Sequence, residues 1–173
     1  MTYDAGSIEV LDGLAAVRLR PGMYVGGTGR EGYHHLLREI VDNSVDEAIA
    51  GHASEICIEV GRDEASVKDD GRGIPYEKHP KTGQSTLDVI FTKLHAGGKF
   101  GGGAYKTSGG LHGVGSSVVN ALSSSLRVES TRGGKTVTRT FSRGETVGRL
   151  RSAKAAKKAH GTYVRFTPDE QIF

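Results

Sequence analysis

The sequence has few of the devices that fasten a chain without a core: one cysteine, no tryptophan, four prolines and 6% aromatic residues. A single thiol, Cys57, excludes an internal disulfide framework and any multi-cysteine zinc site. Its place in a strand-like run predicts burial as a small apolar residue. No apolar stretch reaches the roughly 20 residues that a membrane-crossing helix needs. Residues 1–9, which include Asp4 and Glu9, lack the apolar block of a signal peptide. The expectation is a soluble, cytoplasmic protein without a membrane partner. With those staples missing, 173 residues must cohere through an ordinary core, and the length suits one domain.

What the chain has instead is glycine, 26 residues of it, about twice the usual share. Nine of these lie between Gly97 and Gly115, too aperiodic for collagen, so the stretch reads as a mobile or phosphate-wrapping loop within a folded domain. The net charge of +3 hides an asymmetry. Residues 1–131 sum to −4, residues 132–165, with ten basic side chains and one acidic, to +9, and residues 166–173 to −2. Arg149, Arg151, Lys154, Lys157 and Lys158 have the charge to meet DNA phosphates, but without interleaved aromatics they read as a solvated loop or helix face.

Periodicity divides the chain. Residues 1–9 look like an arm. Val10, Leu11, Leu14 and Val17 have helical spacing that stops at Pro21-Gly22. Thr28 and Glu31 have capping-box spacing before a long helix that puts Leu37, Val41, Ser44 and Ala48 on one side and ends at Gly51. Ile56, Ile58 and Val60 alternate as in a half-buried strand, which pairs with a second one running from Val67 into Asp69-Asp70-Gly71-Arg72-Gly73. Ser85 caps a helix carrying Leu87, Ile90, Phe91 and Leu94, and another helix runs through Val118, Val119 and Leu122. Residues 126–131 and 136–141 form a hairpin around Arg132-Gly133-Gly134-Lys135, and residues 162–166 a last strand. The fold class is α/β: a two-layer sandwich with helices on one face of a mixed, mostly antiparallel sheet.

Three places carry chemistry. On the long helix Glu39, Asn43 and Asp46 share a narrow polar stripe facing away from Leu37, Val41 and Ala48, which by itself reads as a solvated face. Glu39 is suited to take a proton from water, Asn43 to give an amide oxygen to a hard cation such as Mg²⁺, and His35 to orient Glu39. In Asp69-Asp70-Gly71-Arg72-Gly73-Ile74-Pro75 a carboxylate stands at a strand end beside two glycines that let backbone approach a flat ligand. Alone, the segment reads slightly better as a tight surface turn, since Asp and Gly dominate turns. Ser108 through Gly115 opens a helix with several backbone N–H groups aimed where phosphate oxygens would sit. It matches neither the Walker A pattern nor the G-x-G-x-x-G dinucleotide pattern, whose order Gly110 to Gly115 reverses.

These motifs together resemble the GHKL ATPases, the superfamily of gyrase, chaperone, histidine kinase and MutL ATPases. Longer blocks narrow the likeness: Arg20-Pro21-Gly22-Met23-Tyr24, Glu39 to Asn43 with Asp46-Glu47-Ala48, Asp69 to Pro75, His95 to Phe100, and Ser108 to Gly115 with Val118 to Leu122. From Tyr3 to about Pro168 the chain resembles the ATPase subunits of the DNA gyrase B and topoisomerase IV family.

The resemblance implies a single ATP-binding domain over residues 1–173, with the Bergerat fold, an N-terminal arm at 1–9 and a glycine-rich lid at 97–110. It makes Glu39 the general base, His35 its support and Asn43 the Mg²⁺ ligand. ATP would be held by Asn43, Asp46, Asp69, Gly71, Gly73, Ile74, Lys99, Tyr105, Leu111, His112, Gly113, Val114, Gly115 and Thr162, with Asp69 on the adenine amino group and Ile40, Val67, Ile74 and Val164 as walls. Coumarin-type inhibitors would meet Asp69, Arg72, Gly73, Pro75, Arg132 and Thr162. Tyr3 and Ile8 match an arm that reaches into a second copy of the subunit when ATP closes the dimer. A gyrase A type subunit and DNA would be further partners of an ATP-dependent type II topoisomerase. The family's later elements and its transducer domain, which supplies a lysine to the γ-phosphate, lie beyond Phe173, so the chain alone is expected to bind ATP with little turnover.

Overall fold

A computed structural model describes residues 11, 13–96 and 115–173. In chain order the elements are α1 (Leu14–Leu19), α2 (Gly22–Val25), α3 (Arg30–Ile49), β1 (Ile56–Val60), β2 (Ala65–Asp69), α4 (Thr86–Thr92), α5 (Gly115–Ala121), β3 (Ser123–Arg132), β4 (Lys135–Ser142), β5 (Glu145–Lys154) and β6 (Gly161–Pro168). The strands make one sheet in the order β1-β2-β6-β3-β4-β5. Every pairing among the described residues is antiparallel.

Alternation along the strands sorts the side chains. Val67, Val164 and Val128 stand beside one another in register, as do Ala65, Phe166, Leu126 and Phe141. All are buried against Val17, Leu36, Ile40, Leu87, Phe91, Val118 and Leu122. Phe91 of α4 stacks on Phe141 of β4 with centroids 5.3 Å apart. Each such side chain withdrawn from water contributes about 1.5–3 kcal/mol. The other face of the sheet carries Lys68, Arg127, Glu129, Tyr163 and Arg165, so the helices form a single second layer, as expected.

Several local readings need correction. The first helix does stop before Pro21-Gly22, at Leu19 with Arg20 as C-cap; unforeseen is the separate turn of helix α2, for which Pro21 is the N-cap. Thr28 does not cap α3. Gly29 occupies the N-cap position, no side chain caps the helix, and Gly51 follows it with φ +81°, suiting the left-handed turn after a helix. Ser85 does precede α4, yet its hydroxyl donates to the Tyr76 carbonyl at 3.1 Å. In α3 the buried line is Leu36, Ile40 and Ser44, with Leu37 and Val41 only half-buried and Asp46 fully enclosed. The Glu39–Asn43–Asp46 stripe is therefore not a solvated face.

β1 is an edge strand rather than a half-buried one: Ile58 and Val60 are exposed, and so is Cys57, which stands on the face away from the helices. The basic stretch expected as loop or helix is mostly β5. Arg143 (φ +50°) and Gly144 (φ +93°) turn the chain, and β5 then pairs with β4 from Ser142↔Glu145 to Lys135↔Lys154.

Candidate functional site

The site gathers where α3 crosses the ends of β2 and β6 and the start of α5. β2 ends at Asp69, in register with Thr162 on β6. The Asp69 carboxylate is only 6% exposed and is fixed by three donors. Ser44 Oγ of α3 donates to Oδ2 at 2.6 Å. The Gly71 and Thr162 amides donate to Oδ1 at 2.9 and 3.3 Å. The hydroxyl comes from the buried line of α3, so the helix packing that makes the core also aims the carboxylate.

The turn after Asp69 is held from both sides. Glu47 accepts from the Arg72 backbone N–H at 3.0 Å, from Nε at 3.2 Å and from Nη2 at 2.7 Å. His160, in the β5–β6 connection, lies 2.8 Å through Nδ1 from the Gly71 carbonyl; a carbonyl only accepts, which assigns the proton to Nδ1. Gly73 has φ +77°, and a Cβ there would come within 2.6 Å of the Thr131 carbonyl, so this crossing of turn over β3 requires glycine. Arg132 Nη1 donates to the Gly73 carbonyl at 3.3 Å, and Ser130 Oγ to the Ile74 carbonyl at 2.5 Å. Of the four expected apolar walls, Ile40, Val67 and Val164 are buried and Ile74 is half-buried, and Val67 pairs with Val164 two residues from the Asp69–Thr162 pair. Pro75 is exposed.

On the same helix His35 Nε2 lies 3.1 Å from Glu39 Oε1, one turn apart, and the carboxylate can only accept. The other oxygen, Oε2, faces the first residue of α5: a Cβ on Gly115 would sit 2.1 Å from it. Only glycine lets that helix start so close to Glu39. Asn43 donates through Nδ2 to Ser116 Oγ at 3.1 Å, tying α3 to the next residue of α5. Glu39, Asn43 and the N-terminus of α5 thus converge.

The structure therefore brings together His35, Glu39, Asn43, Asp69, Gly71, Arg72, Gly73, Ile74, Arg132, Thr162 and Gly115, while Asp46 lies wholly buried behind them. Lys99, Tyr105, Leu111, His112, Gly113 and Val114, the lid at 97–110, and Tyr3 and Ile8 of the arm lie outside the described residues. Sequence reasoning missed Ser44, Glu47, Ser116, Ser130 and His160. Glu47 had a usable signal: the lone cation Arg72 in a glycine-rich turn calls for an acid. His160 had none, since its partner is 89 positions away.

Residues 28–172 match the model of the histidine kinase-, DNA gyrase B-, and HSP90-like ATPases. The chain is 56% identical over 172 residues to the DNA gyrase B protein of Streptococcus pneumoniae, covering 99% of this chain and 26% of that protein. It is 55% identical to the DNA gyrase B protein of Thermus thermophilus over 175 residues, which span all of this chain and 28% of that one. The chain thus spans about a quarter of the length of these curated relatives. In three dimensions it is similar to the 43K ATPase domain of Thermus thermophilus gyrase B, solved in complex with an aminocoumarin. The TM-score is 0.81 at 46% identity, over 92% of this chain and 40% of that one.

Proposed function

The chain belongs to the histidine kinase-, DNA gyrase B-, and HSP90-like ATPases, and on that premise we propose that it is the ATP-binding and ATP-hydrolysing module of a gyrase-type DNA topoisomerase. The observation that carries the proposal is the Asp69 carboxylate, nearly buried and held by Ser44, Gly71 and Thr162. Every one of these donors is neutral, so the negative charge remains for a ligand N–H such as the adenine amino group. A site built on such a bond penalises a base that lacks the donor.

Hydrolysis falls to Glu39. His35 holds one carboxylate oxygen, and the other faces the helix start that Gly115 opens. Glu39 takes a proton from water as the water oxygen bonds to the γ-phosphorus and the bond from that phosphorus to the ADP oxygen breaks. The N-terminus of α5, with Leu111 to Gly115 leading into it, directs N–H groups to the phosphates. Lys99 and Tyr105, which lie outside the described residues, would by the family resemblance add contacts to the phosphates. Mg²⁺ would suit the oxygen donors here, with the Asn43 amide oxygen as its ligand beside the Ser116 hydroxyl and the Glu39 carboxylate, and it would supply charge compensation on the phosphates.

The aminocoumarin bound by the Thermus thermophilus domain supports an inhibitor site on this chain over Asp69, Arg72, Gly73, Pro75, Arg132 and Thr162. The wider proposal is an ATP-dependent type II topoisomerase acting in the cytoplasm, where ATP closes two copies through Tyr3 and Ile8 and drives strand passage with a gyrase A type subunit. In the complete subunit, Glu39→Gln should lower ATP turnover by about 10²–10⁴-fold while nucleotide affinity stays within about tenfold, since a general base acts on the transition state. Turnover near the wild-type rate would remove Glu39 from its role.

A further inference from the structure

Ten cations and one carboxylate occupy residues 132–165; Arg132 donates to the Gly73 carbonyl, and the other nine fall into two groups. Arg139, Arg143 and Arg165 are paired with Asp88, Asp169 and Glu64. Lys135, Arg149, Arg151, Lys154, Lys157 and Lys158 are all exposed and make no ion pair among the described residues. Arg149, Arg151 and Lys154 lie on β5 at the edge of the sheet, Arg151 and Lys154 toward opposite faces; Lys135 of β4 stands beside Lys154, and Lys157 and Lys158 follow in the β5–β6 connection. Lys135 and Lys154 stand directly opposite each other in the β4–β5 register, an arrangement that like charges disfavour. The lone acid, Glu145, starts β5 at its other end, about 30 Å away at 3.3 Å per residue.

Lysine on an edge strand also guards against edge-to-edge association, which accounts for part of β5. It does not account for Lys157 and Lys158, which lie past the strand, where the Ala159 amide closes a turn on the Ala156 carbonyl and no edge is presented. There the cations continue into a groove of about 680 Å³ that His52, Arg72, Arg132, Lys157, Lys158 and His160 help to line, with Glu77 its one acid. The ten residues of β5 extend about 33 Å, close to one turn of duplex DNA. The side chains between the cations are small or aliphatic, with no amide or aromatic to read a base.

We propose that the β5 edge and the β5–β6 connection form a docking surface for the phosphate backbone of duplex DNA, sequence-independent and governed by salt. The inference rests on the topoisomerase reading above for its choice of DNA among polyanions.

The test is anisotropy of a fluorescent 20-base-pair duplex titrated with the 173-residue chain at 50–200 mM salt. Nucleotide binding is measured in parallel by calorimetry. Binding should weaken steeply with salt, the slope changing by about 0.9 per phosphate neutralised. Arg149→Ala/Arg151→Ala/Lys154→Ala should flatten the slope by nearly 3 whatever the duplex sequence, and Lys157→Ala/Lys158→Ala by nearly 2, whereas Arg62→Ala, in the β1–β2 turn at the opposite edge of the sheet, should not. The triple variant should keep its nucleotide affinity. Three results would overturn the surface: no duplex binding at 50 mM salt, equal slopes in all three variants, or self-association of the triple variant with an unchanged slope, which would leave edge protection as its only role. A chain that binds nucleotide but not DNA loses this inference alone. A chain that binds DNA here but no nucleotide loses the ATPase reading instead.

Discussion

Asp69 and Asp169 are both buried aspartates wrapped in hydrogen bonds, and they differ in what wraps them. Asp169, with no exposed surface, meets two guanidiniums, Arg18 at 3.0 Å and Arg143 at 2.8 Å, and accepts from the Gln171 amide at 3.1 Å. Burial pushes its carboxyl up, but Arg143, that amide and Arg18 outweigh the burial and hold it at about 2. Asp69 is wrapped by a hydroxyl and two amides, with no cation on it among the described residues. One charge is answered inside the chain and ties α1 to the β4–β5 turn. The other is positioned but not neutralised. A carboxylate shell of arginines marks a staple, and a shell of neutral donors beside a turn marks a place for a ligand.

The comparison breaks most visibly at the staple. Asp169→Ala should destabilise the fold by about 2 kcal/mol, less than the roughly 3–5 of a fully buried pair, because the side chains of Arg18 and Arg143 are 24% and 42% exposed and can turn to water. Nucleotide affinity of the folded protein should hold. An unchanged urea midpoint would deny Asp169 that role.

At the site the balance reverses. Asp69→Asn should weaken ATP and a coumarin together by about ten- to a hundredfold while stability changes by less than about 1 kcal/mol. Equal affinities in calorimetry would reduce Asp69 to a turn residue.

Acid sharpens the contrast with a smaller effect. Because the folded-state carboxyl of Asp169 lies at about 2, below its ordinary 3.8, its stabilisation is fully present above about pH 4 and fades as pH falls toward 2. Asp70 shares this window: the Ser54 hydroxyl, then the Glu55 and Ser54 amides, hold it at about 2. Urea midpoints at pH 5, 4, 3 and 2 should therefore decline less in Asp169→Asn than in the wild type. A decline identical to wild type would contradict the linkage.

Local chemistry was what the sequence made readable. The β3–β4 hairpin announced itself through Gly133 and Gly134, both at positive φ, and Glu39 with His35 through their one-turn spacing. β5 stayed hidden because its cations stand outside the apolar alternation by which strands are recognised, although Arg143-Gly144 before it was a turn signal. At the site, Asp69 was legible as a carboxylate at a strand end. Ser44 was not, since a serine on the apolar side of a helix reads as packing until β2, 25 residues later, is laid across it. Cys57 misled for a related reason: apolar alternation identifies a strand but not its position in the sheet, and an edge strand leaves both faces open.

That exposed thiol makes the chain a single-attachment molecule for spectroscopy. Cys57 is the one cysteine, and it pairs with Lys68, the residue before Asp69. A dye or spin label there would be stoichiometric and would sit on the far side of the sheet from the pocket, reporting on β2 without obstructing a ligand. The Glu55 carboxylate, which accepts from Sγ at 3.3 Å, raises the thiol above its ordinary range. Little thiolate is therefore present at neutral pH, and conjugation should run slowly there and quicken in mild alkali.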